Sequence, residues 1–278
     1  MSSSLEGVKV SWEKVEGATG YQLFRWESSK WKKITTIANG KKGSYVDTKA
    51  NKGGMTYKYS LRAVRKKEQS GYAKQASIKF IPAPDIDTIT NVLNGIELKW
   101  SKVSGISMYR LYRKEGDGKW TAITDVNGTS YVDSNVEPGT DYKYSIQCLS
   151  KDGESTMSGY TKSVSKFVRV ETPEIREIEM VENGLEISWE SMTGAVNYAI
   201  YRKVTGGSWK IIAATTDTTY LDTSVQDGIE YEYRVWCVDK TGIQIISGYR
   251  EDGVKAVYHK INTQPEDDPD EEPDEEPI

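Results

Sequence analysis

The residues that could do chemistry are few and scattered through the 278-residue sequence. A single histidine, His259, stands near the end of the chain, so a nucleophile would need a lysine or a carboxylate as its base. Asp47, Asp133 and Asp222 each follow a tyrosine by two positions and precede Thr or Ser. Aspartates in such settings bond nearby backbone, so we interpret them as turn-forming residues. The sequence predicts no catalytic residue and no enzyme.

Metal and thiol chemistry have equally weak support. The sequence has no cluster of His and Cys, and Asp152-Gly153-Glu154 is too short for a calcium loop. Cys148 and Cys237 lie 89 residues apart, a spacing that recurs along the chain. We interpret both as small buried residues, since equivalent sites in successive units are too far apart for a disulfide. No metal site and no cofactor are predicted.

Binding of a polyanion is a third chemistry open to this chain. Residues 1–82 carry 17 Lys and Arg against 6 Asp and Glu, whereas residues 171–264 carry 9 against 15. The candidate basic residues, in or near predicted loops and edge strands, are Lys30, Lys32, Lys33, Lys41, Lys42, Arg65, Lys66 and Lys67. Such a surface attracts acidic glycans, wall polymers or an acidic protein, although lysines also protect edge strands from pairing. No element that reads nucleic acid is evident, so none is predicted as a ligand.

Aromatic residues suggest a further kind of binding, because exposed Trp and Tyr rings stack on sugars. The chain has 18 Tyr and 8 Trp against 3 Phe. Three of the Trp residues recur at equivalent places, which favours packing over a sheet: Trp31, Trp120 and Trp209. Trp26 and Trp236 do not recur, so they are the better candidates for glycan stacking. Phe24 is expected to be exposed because it lies on the opposite face from Tyr21.

The elements that carry these residues are three copies of one unit. Trp12, Trp100 and Trp189 lie 88 and 89 residues apart. Ser-Gly-Tyr triplets begin near the end of each copy, at Ser70, Ser158 and Ser247. A fixed period of this size indicates one folding unit in tandem, with a separate core in each copy. Residues present in all three copies are most simply explained by what the fold needs.

Each copy has the pattern of β-strands. Leu185, Ile187 and Trp189 alternate with polar residues and so share one face, which is the period of a strand. Turn signals such as Asn94-Gly95 and Pro138-Gly139 separate the alternating runs. No stretch of a dozen residues follows a helical period. The sequence therefore predicts an all-β chain.

The combined motifs resemble the fibronectin type III family, in the form common in bacterial cell-surface and secreted proteins. The residues that carry the resemblance are Ile96-Glu97-Leu98-Lys99-Trp100, Tyr109-Arg110-Leu111-Tyr112-Arg113, Ser130-Tyr131-Val132-Asp133 and Val136-Glu137-Pro138-Gly139-Thr140-Asp141-Tyr142. The resemblance implies three tandem Ig-like, seven-stranded sandwiches of two sheets. It places two sets of residues in the structural core, Trp12, Trp100 and Trp189 with Tyr57, Tyr142 and Tyr231. Each of these tyrosines would cap the loop entering the sixth strand through its hydroxyl.

The resemblance and the composition together predict four segments of the chain. Fibronectin type III-like domains are predicted over 1–82, 83–171 and 172–261, and an acidic, Pro-rich tail or linker over 262–278. The first domain lacks most of strand A, so we expect the natural protein to be longer. The tail has nine acidic residues and a proline at every fourth position of residues 265–278, which predicts disorder. No membrane span and no signal peptide are predicted.

These observations predict a non-catalytic spacer and interaction region of a bacterial extracellular or cell-surface protein, which holds other domains at a distance. The alternative is an adhesive or glycan-binding module that uses the basic face of the first domain or its exposed Trp residues. Its partner would be a cell-wall polymer, a glycan or a host protein. A second alternative is a phage virion accessory protein. We expect a monomer, with dimerisation by strand addition at the incomplete first sheet as the other outcome.

Overall fold

The computed structural model describes residues 1–162, 167–242, 244–248 and 250–261. All regular elements in these ranges are strands, and the strands pair in antiparallel fashion. The predicted all-β class is therefore confirmed. The predicted acidic tail over 262–278 lies outside the described residues. Met1–Arg169 form one compact unit and a second begins at Val170, and the domain bounds given above stay predictions.

The first domain is a sandwich whose first strand is very short. Its strands are β1 (Ser2–Ser3), β2 (Val8–Ser11), β3 (Gly20–Glu27), β4 (Lys30–Ile37), β5 (Ser44–Asp47), β6 (Thr56–Arg65), β7 (Glu68–Gln69) and β8 (Ala76–Lys79). One sheet has the order β1–β2–β5, and the other has the order β4–β3–β6–β7 with β8 also paired to β6. β1 contains two residues, whereas β9, the corresponding strand of the second domain, contains seven.

The second domain repeats this arrangement with a full first strand. Its strands are β9 (Ile86–Val92), β10 (Gly95–Trp100), β11 (Met108–Glu115), β12 (Thr121–Asn127), β13 (Ser130–Asp133), β14 (Asp141–Cys148) and β15 (Phe167–Val168). Its sheets have the orders β13–β10–β9 and β12–β11–β14–β15.

The third domain has the same topology. Its strands are β16 (Ile175–Val181), β17 (Gly184–Trp189), β18 (Asn197–Val204), β19 (Lys210–Thr215), β20 (Thr219–Asp222), β21 (Glu230–Val238) and β22 (Val254–Val257). Its sheets have the orders β16–β17–β20 and β19–β18–β21–β22.

The recurring Trp of the second strand lies in each core, but less deeply in the first domain. Trp100 and Trp189 are each 3% exposed. Trp12 is only partly buried against its core. In the second domain Ile86 and Ile89 of β9 pack against the core that contains Trp100. The two serines of β1 offer no such apolar cover, which explains the greater exposure of Trp12.

The tyrosine at the entry to the sixth strand bonds back to the preceding loop in every domain. Its hydroxyl accepts a hydrogen bond from the backbone N–H five residues earlier, at 3.1, 2.8 and 3.1 Å for Tyr57, Tyr142 and Tyr231. The contact satisfies a loop N–H that would otherwise lie half-buried without a partner. It therefore fixes the loop against the sheet.

A buried carboxylate links the two sheets of each sandwich, as the second domain shows. Asp133 ends β13 and is 2% exposed. Its Oδ2 accepts hydrogen bonds from Arg113 Nη1 and Tyr144 Oη, both at 2.9 Å. Its Oδ1 accepts one from the backbone N–H of Asn135 at 3.2 Å. Because Arg113 lies on β11 and Tyr144 on β14, in the sheet opposite β13, the carboxylate ties the two sheets together.

The same three residue types meet in the other domains, and we call each set the carboxylate clamp. The clamps are Arg25–Asp47–Tyr59, Arg113–Asp133–Tyr144 and Arg202–Asp222–Tyr233. Each arginine also lies over the ring of the loop-capping tyrosine, 6.0, 5.3 and 4.8 Å from the centroids of Tyr57, Tyr142 and Tyr231. The recurring aspartates thus form a turn, as interpreted from the sequence, and also an ion pair between sheets.

Burial and hydrogen bonding together set the charges of the clamp. Burial alone would lower the pKa of Arg202, but hydrogen bonding to Asp222 and the charge of that carboxylate raise it. Burial raises the pKa of Tyr233 far above its usual range, and the hydrogen bond to Asp222 raises it further. The clamp is therefore a cation, a carboxylate and a protonated phenol at neutral pH. Removing one partner of such a buried pair typically costs about 3–5 kcal/mol.

The two cysteines belong to the cores of the second and third domains. Cys148 and Cys237 are fully buried, and both are free thiols. Burial raises the pKa of Cys148 to about 11 and that of Cys237 to about 12, against opposing hydrogen bonds from Ser158 and Ser247. A thiol in this state is a poor nucleophile. The structure gives both residues a packing role.

The clamp of the third domain predicts a loss of stability in acid. Burial alone would raise the pKa of Asp222, but hydrogen bonds from Ser224, Tyr233 and Arg202 outweigh it and lower the pKa. An unfolded Asp has a pKa of about 3.9. The stabilisation is therefore complete above about pH 4 and is lost as the pH falls through the lowered folded value. Urea titrations at pH 6, 4 and 2.5, followed by NMR signals of the third domain, should show this loss.

The Asp222→Asn variant should weaken the dependence of the third domain on acid pH, because it removes the titrating group. Asp217→Asn is the matched control, since Asp217 is an exposed aspartate of the same domain. An acid dependence that both variants leave unchanged would show that Asp222 does not carry it.

Burial of the thiols predicts that they react only when their domains unfold. At pH 8 in native buffer, Ellman's reagent should modify Cys148 and Cys237 at least about 100-fold more slowly than an exposed thiol, because their thiolate fractions are small. The Lys151→Cys variant supplies that exposed thiol in the same chain. Denaturant should make all thiols react alike. Rapid modification of either native cysteine would contradict the packing role.

Candidate binding face

Most candidate chemistry from the sequence lies apart in the fold. His259 and Asp227 have side chains 67% and 69% exposed, and His259 Nδ1 lies 3.7 Å from Asp227 Oδ1. The described part of the chain contains no group of three or more His, Cys, Asp and Glu that could hold a metal ion. Nor does any helix in that part have the length and apolarity to cross a membrane. The candidate functional sites of the described residues are therefore surfaces.

The Ser-Gly-Tyr triplets of the first two domains place Tyr72 and Tyr160 on the outer face of a sheet. In each triplet the serine hydroxyl accepts from a backbone N–H and donates to the carbonyl of the following glycine. The accepting distances are 3.0 Å at Ser70, 2.9 Å at Ser158 and 3.0 Å at Ser247. In the first domain the donor is Ala63 of β6, and Tyr72 follows two residues after the serine. The repeated serine thus anchors the segment that carries this ring.

Strand alternation brings a set of rings and cations to the outer face of the β4–β3–β6 sheet. Arg25 points inward to its clamp, so its neighbours Phe24 and Trp26 point outward. In the register of β3 with β4, Trp26 lies opposite Trp31 and Phe24 lies opposite Lys33. We call the set Trp26, Trp31, Lys33, Lys58, Arg62 and Tyr72 the aromatic–cationic face.

Two rings of this face are open to solvent. Trp26 is 42% exposed, and its ring lies 5.3 Å from that of Trp31 at 73°. Tyr72 is 52% exposed and lies 5.1 Å from the ring of Phe24, while the Arg62 guanidinium lies 4.2 Å from the Tyr72 centroid. Phe24 is consequently only 8% exposed, so the expectation of an exposed Phe24 is wrong. Tyr72, from a distant part of the sequence, covers it.

The eight predicted basic residues are all exposed but do not form one patch. Lys30, Lys32 and Lys33 lie on β4, beside the end of β3 at Glu27, and Lys32 forms an ion pair with Glu27 at 3.3 Å. The remaining five lie beyond the other end of β3, in the loop after β4 and at the turn after β6: Lys41, Lys42, Arg65, Lys66 and Lys67. The two groups are roughly 20 Å apart along the strand. Only Lys33 belongs to the aromatic–cationic face.

The equivalent face of the second domain is more neutral. Trp120 is 43% exposed, and Tyr160 stacks on Tyr112 at 5.0 Å. Arg110 forms a two-point ion pair with Asp125, both contacts at 2.7 Å. Arg110 is thus matched by a carboxylate beside it, whereas Lys114 and Lys143 lie opposite each other on β11 and β14.

The third domain pairs Lys203 of this face with a carboxylate. Lys203 Nζ lies 2.8 Å from Glu232 and 4.6 Å from the ring of Trp209. The Arg234 guanidinium lies 4.0 Å from the same ring. Trp236 is half-buried, with its ring 4.3 Å from Tyr201. Of the two predicted stacking residues, Trp26 is therefore the exposed one and Trp236 is packed.

A cleft of about 1030 Å³ lies within Met1–Arg169. Its walls include Met1–Leu5, Trp120, Gln147 and Tyr160. The described residues that line it include two lysines and no Asp, Glu, His or Cys. The cleft therefore offers no acid–base pair for catalysis.

Sequence reasoning missed Lys58, Arg62 and Tyr72 as members of a shared face. The repeated triplet marks Tyr72 in the sequence. Its position over Phe24 depends on how the segment after β6 folds back, which the repeat does not predict. Lys58 and Arg62 had only the alternation of β6. It also missed the arginines of the clamp, although Arg25, Arg113 and Arg202 repeat with the spacing of the core Trp residues.

Comparison with known proteins identifies sequence relatives of part of this chain. No protein-family model matches the chain. The chain is 28% identical over 222 residues to an amylopullulanase of Thermoanaerobacter thermohydrosulfuricus. The aligned region covers 76% of this chain and 13% of that protein. The chain is also 24% identical over 215 residues to the fibronectin type-III domain-containing protein 3A of Mus musculus, in an alignment that covers 69% of this chain and 18% of that protein. The chain thus spans less than a fifth of the length of either relative.

Among solved structures, the chicken CNTN1 FN1–FN3 domains align with 94% of this chain and 96% of theirs, at 14% identity and a TM-score of 0.32. The sequence relatives and the topology of the sheets agree with the motifs in the sequence. The resemblance of this chain to tandem fibronectin type III domains is confirmed.

Proposed function

We propose that the chain is a non-catalytic tandem β-sandwich region that holds other domains of a bacterial extracellular or cell-surface protein at a distance. The observation that supports this most is the use of the recurring residues. The Trp, the loop-capping Tyr, the carboxylate clamp and the Ser-Gly-Tyr serine all make contacts inside their own domain. Repetition therefore preserves the fold and builds no shared active site.

The relatives favour this role. The amylopullulanase from Thermoanaerobacter thermohydrosulfuricus is a bacterial protein in which the matching region covers 13% of the length. The matching region is thus a minor part of a larger protein there. A chain made of such domains is suited to link or space other parts of a bacterial protein.

The junction between the first two domains also suits a spacer. Pro82 and Pro84 stand between Ile81 and the start of β9 at Ile86, and each proline fixes one backbone dihedral. The Cys148 thiol donates to the carbonyl oxygen of Pro82 at 3.6 Å, which attaches the junction to the core of the second domain. A short, restrained junction limits bending more than a flexible linker does.

A binding role is the second candidate, and the aromatic–cationic face of the first domain favours it. This face differs from its equivalents in the other domains in both rings and charges. A surface that departs from the repeat is where an added function is expected. The two roles are compatible, since a spacer can carry a binding face.

The spacer role predicts an extended particle in solution. Three sandwiches of about 30 Å each in series give a radius of gyration of about 26 Å or more. A single compact globule of this length would have about 19 Å. Small-angle X-ray scattering of the intact chain at low and physiological salt measures the difference, and a chain ending at residue 261 removes the contribution of the tail. A value near that of the globule would contradict the spacer role.

A further inference from the structure

We propose that the aromatic–cationic face of the first domain binds an acidic polysaccharide. In this proposal the exposed rings of Trp26 and Tyr72 stack on sugar rings, and Lys33, Lys58 and Arg62 bind the carboxylate or sulfate groups. The proposal goes beyond the spacer role, because a spacer needs no ligand.

The cations of this face have no carboxylate beside them. The residues of β3, β4 and β6 that alternate onto the outer face here are Gln22, Phe24, Trp26, Trp31, Lys33, Lys58, Ser60 and Arg62. None is acidic, and the nearby Glu27 is bound by Arg25 and Lys32. A field from several unpaired cations attracts an anionic ligand.

The same positions in the other domains include acidic residues. The position of Lys58, one residue after the loop-capping tyrosine, is held in the third domain by Glu232, which neutralises Lys203 at 2.8 Å. In the second domain, Asp125 neutralises Arg110 at 2.7 Å. The fold therefore tolerates paired charges on this face, and the first domain lacks them. Unpaired lysines also occur in the second domain, where Lys143 holds the Lys58 position opposite Lys114. The first domain differs in that its outward positions carry no carboxylate at all.

The exposed rings of this face are also specific to the first domain. The position of Trp26, five residues after Tyr21, is held by lysine in the other domains, Lys114 and Lys203. In the first domain a tryptophan packs edge-on against Trp31 and leaves 42% of its surface in water. Tyr72 lies over Phe24, which is two residues and so about 7 Å from Trp26 along the strand. Two amphipathic rings at this spacing, beside cations, can contact successive sugars and their charged groups.

The charge of the whole chain favours a polysaccharide over a nucleic acid. The formal net charge is −4, and the basic residues at the other end of β3 do not extend this face. Nucleic acid carries about one charge per 1.7 Å of duplex, and its binding needs many phosphate contacts. A polysaccharide with one anionic group on each sugar, or on alternate sugars, is less densely charged. Three cations beside two rings match that lower density.

The test is calorimetric titration of the intact chain with alginate oligosaccharides and with heparin oligosaccharides at low and physiological salt. Neutral dextran oligosaccharides and a dT oligonucleotide are titrated in parallel. Saturable binding to at least one acidic glycan, weakened by salt and stronger than binding to dextran and dT, supports the proposal. No binding to either acidic glycan at low salt overturns it, and so does tighter binding to dT or equal binding to dextran.

Variants locate the site. Trp26→Ala and Tyr72→Ala should each weaken binding about tenfold or more, whereas Trp120→Ala, which removes a ring of similar exposure in the second domain, should not. Lys33→Gln with Lys58→Gln should weaken binding by a similar factor and reduce its salt dependence. Lys41→Gln with Lys42→Gln is the matched control, because it removes the same charge at the other end of the domain. Unfolding curves confirm that each variant is folded.

Equal losses in the two lysine pairs would show a general charge effect and would overturn the assignment to this face. Unchanged affinity in both ring variants would do the same. The scattering result does not depend on these titrations, so a failure of the binding proposal is distinguishable from a failure of the spacer role.

Discussion

A buried carboxylate at the end of the fifth strand is the contact on which each sandwich depends. Asp133, at 2% exposure, would be costly in an apolar core without partners, and it has an arginine, a tyrosine and a backbone N–H. The two side-chain partners come from the sheet opposite β13, so the charge is satisfied only when the sheets pack correctly. The clamp therefore couples local strand formation to the tertiary fold, and it recurs in all three domains.

The clamp also decides what each domain shows to solvent. In the first domain, Arg25 must point inward to reach Asp47, and alternation then turns Phe24 and Trp26 outward. The inner face is nearly the same in every copy, while the outer face changes from one copy to the next. A carboxylate binds one cation there in the second domain, at Arg110, and one in the third, at Lys203, whereas the cations of the first domain have no such partner. Fold and binding are thus divided between the two faces of one sheet.

The sequence predicted what depends on local pattern and repetition. Alternation gave the strands, and the spacing of Trp100 and Trp189 located residues that prove to be buried. The clamp was not predicted, because Arg113, Asp133 and Tyr144 meet only after three strands pair across two sheets.

The errors on the surface have a related cause. Phe24 alternates onto an outward face, as predicted, but a ring from after β6 covers it. The basic residues are exposed, yet strand register separates them into two groups, and composition contains no information on register. Single strands can therefore be predicted from the sequence, whereas contacts between distant segments cannot.

A double-mutant cycle on the clamp of the second domain tests the central claim most directly. Tyr144→Phe, Asp133→Asn and the double variant are compared by urea unfolding, followed by NMR signals of that domain in the intact chain. Asp125→Asn, which alters a surface ion pair, replaces Asp133→Asn in the control cycle. We expect a coupling free energy of about 1 kcal/mol or more for Asp133 with Tyr144, and additivity within about 0.5 kcal/mol for the control. Additive effects in both cycles would show that the carboxylate does not tie the sheets together.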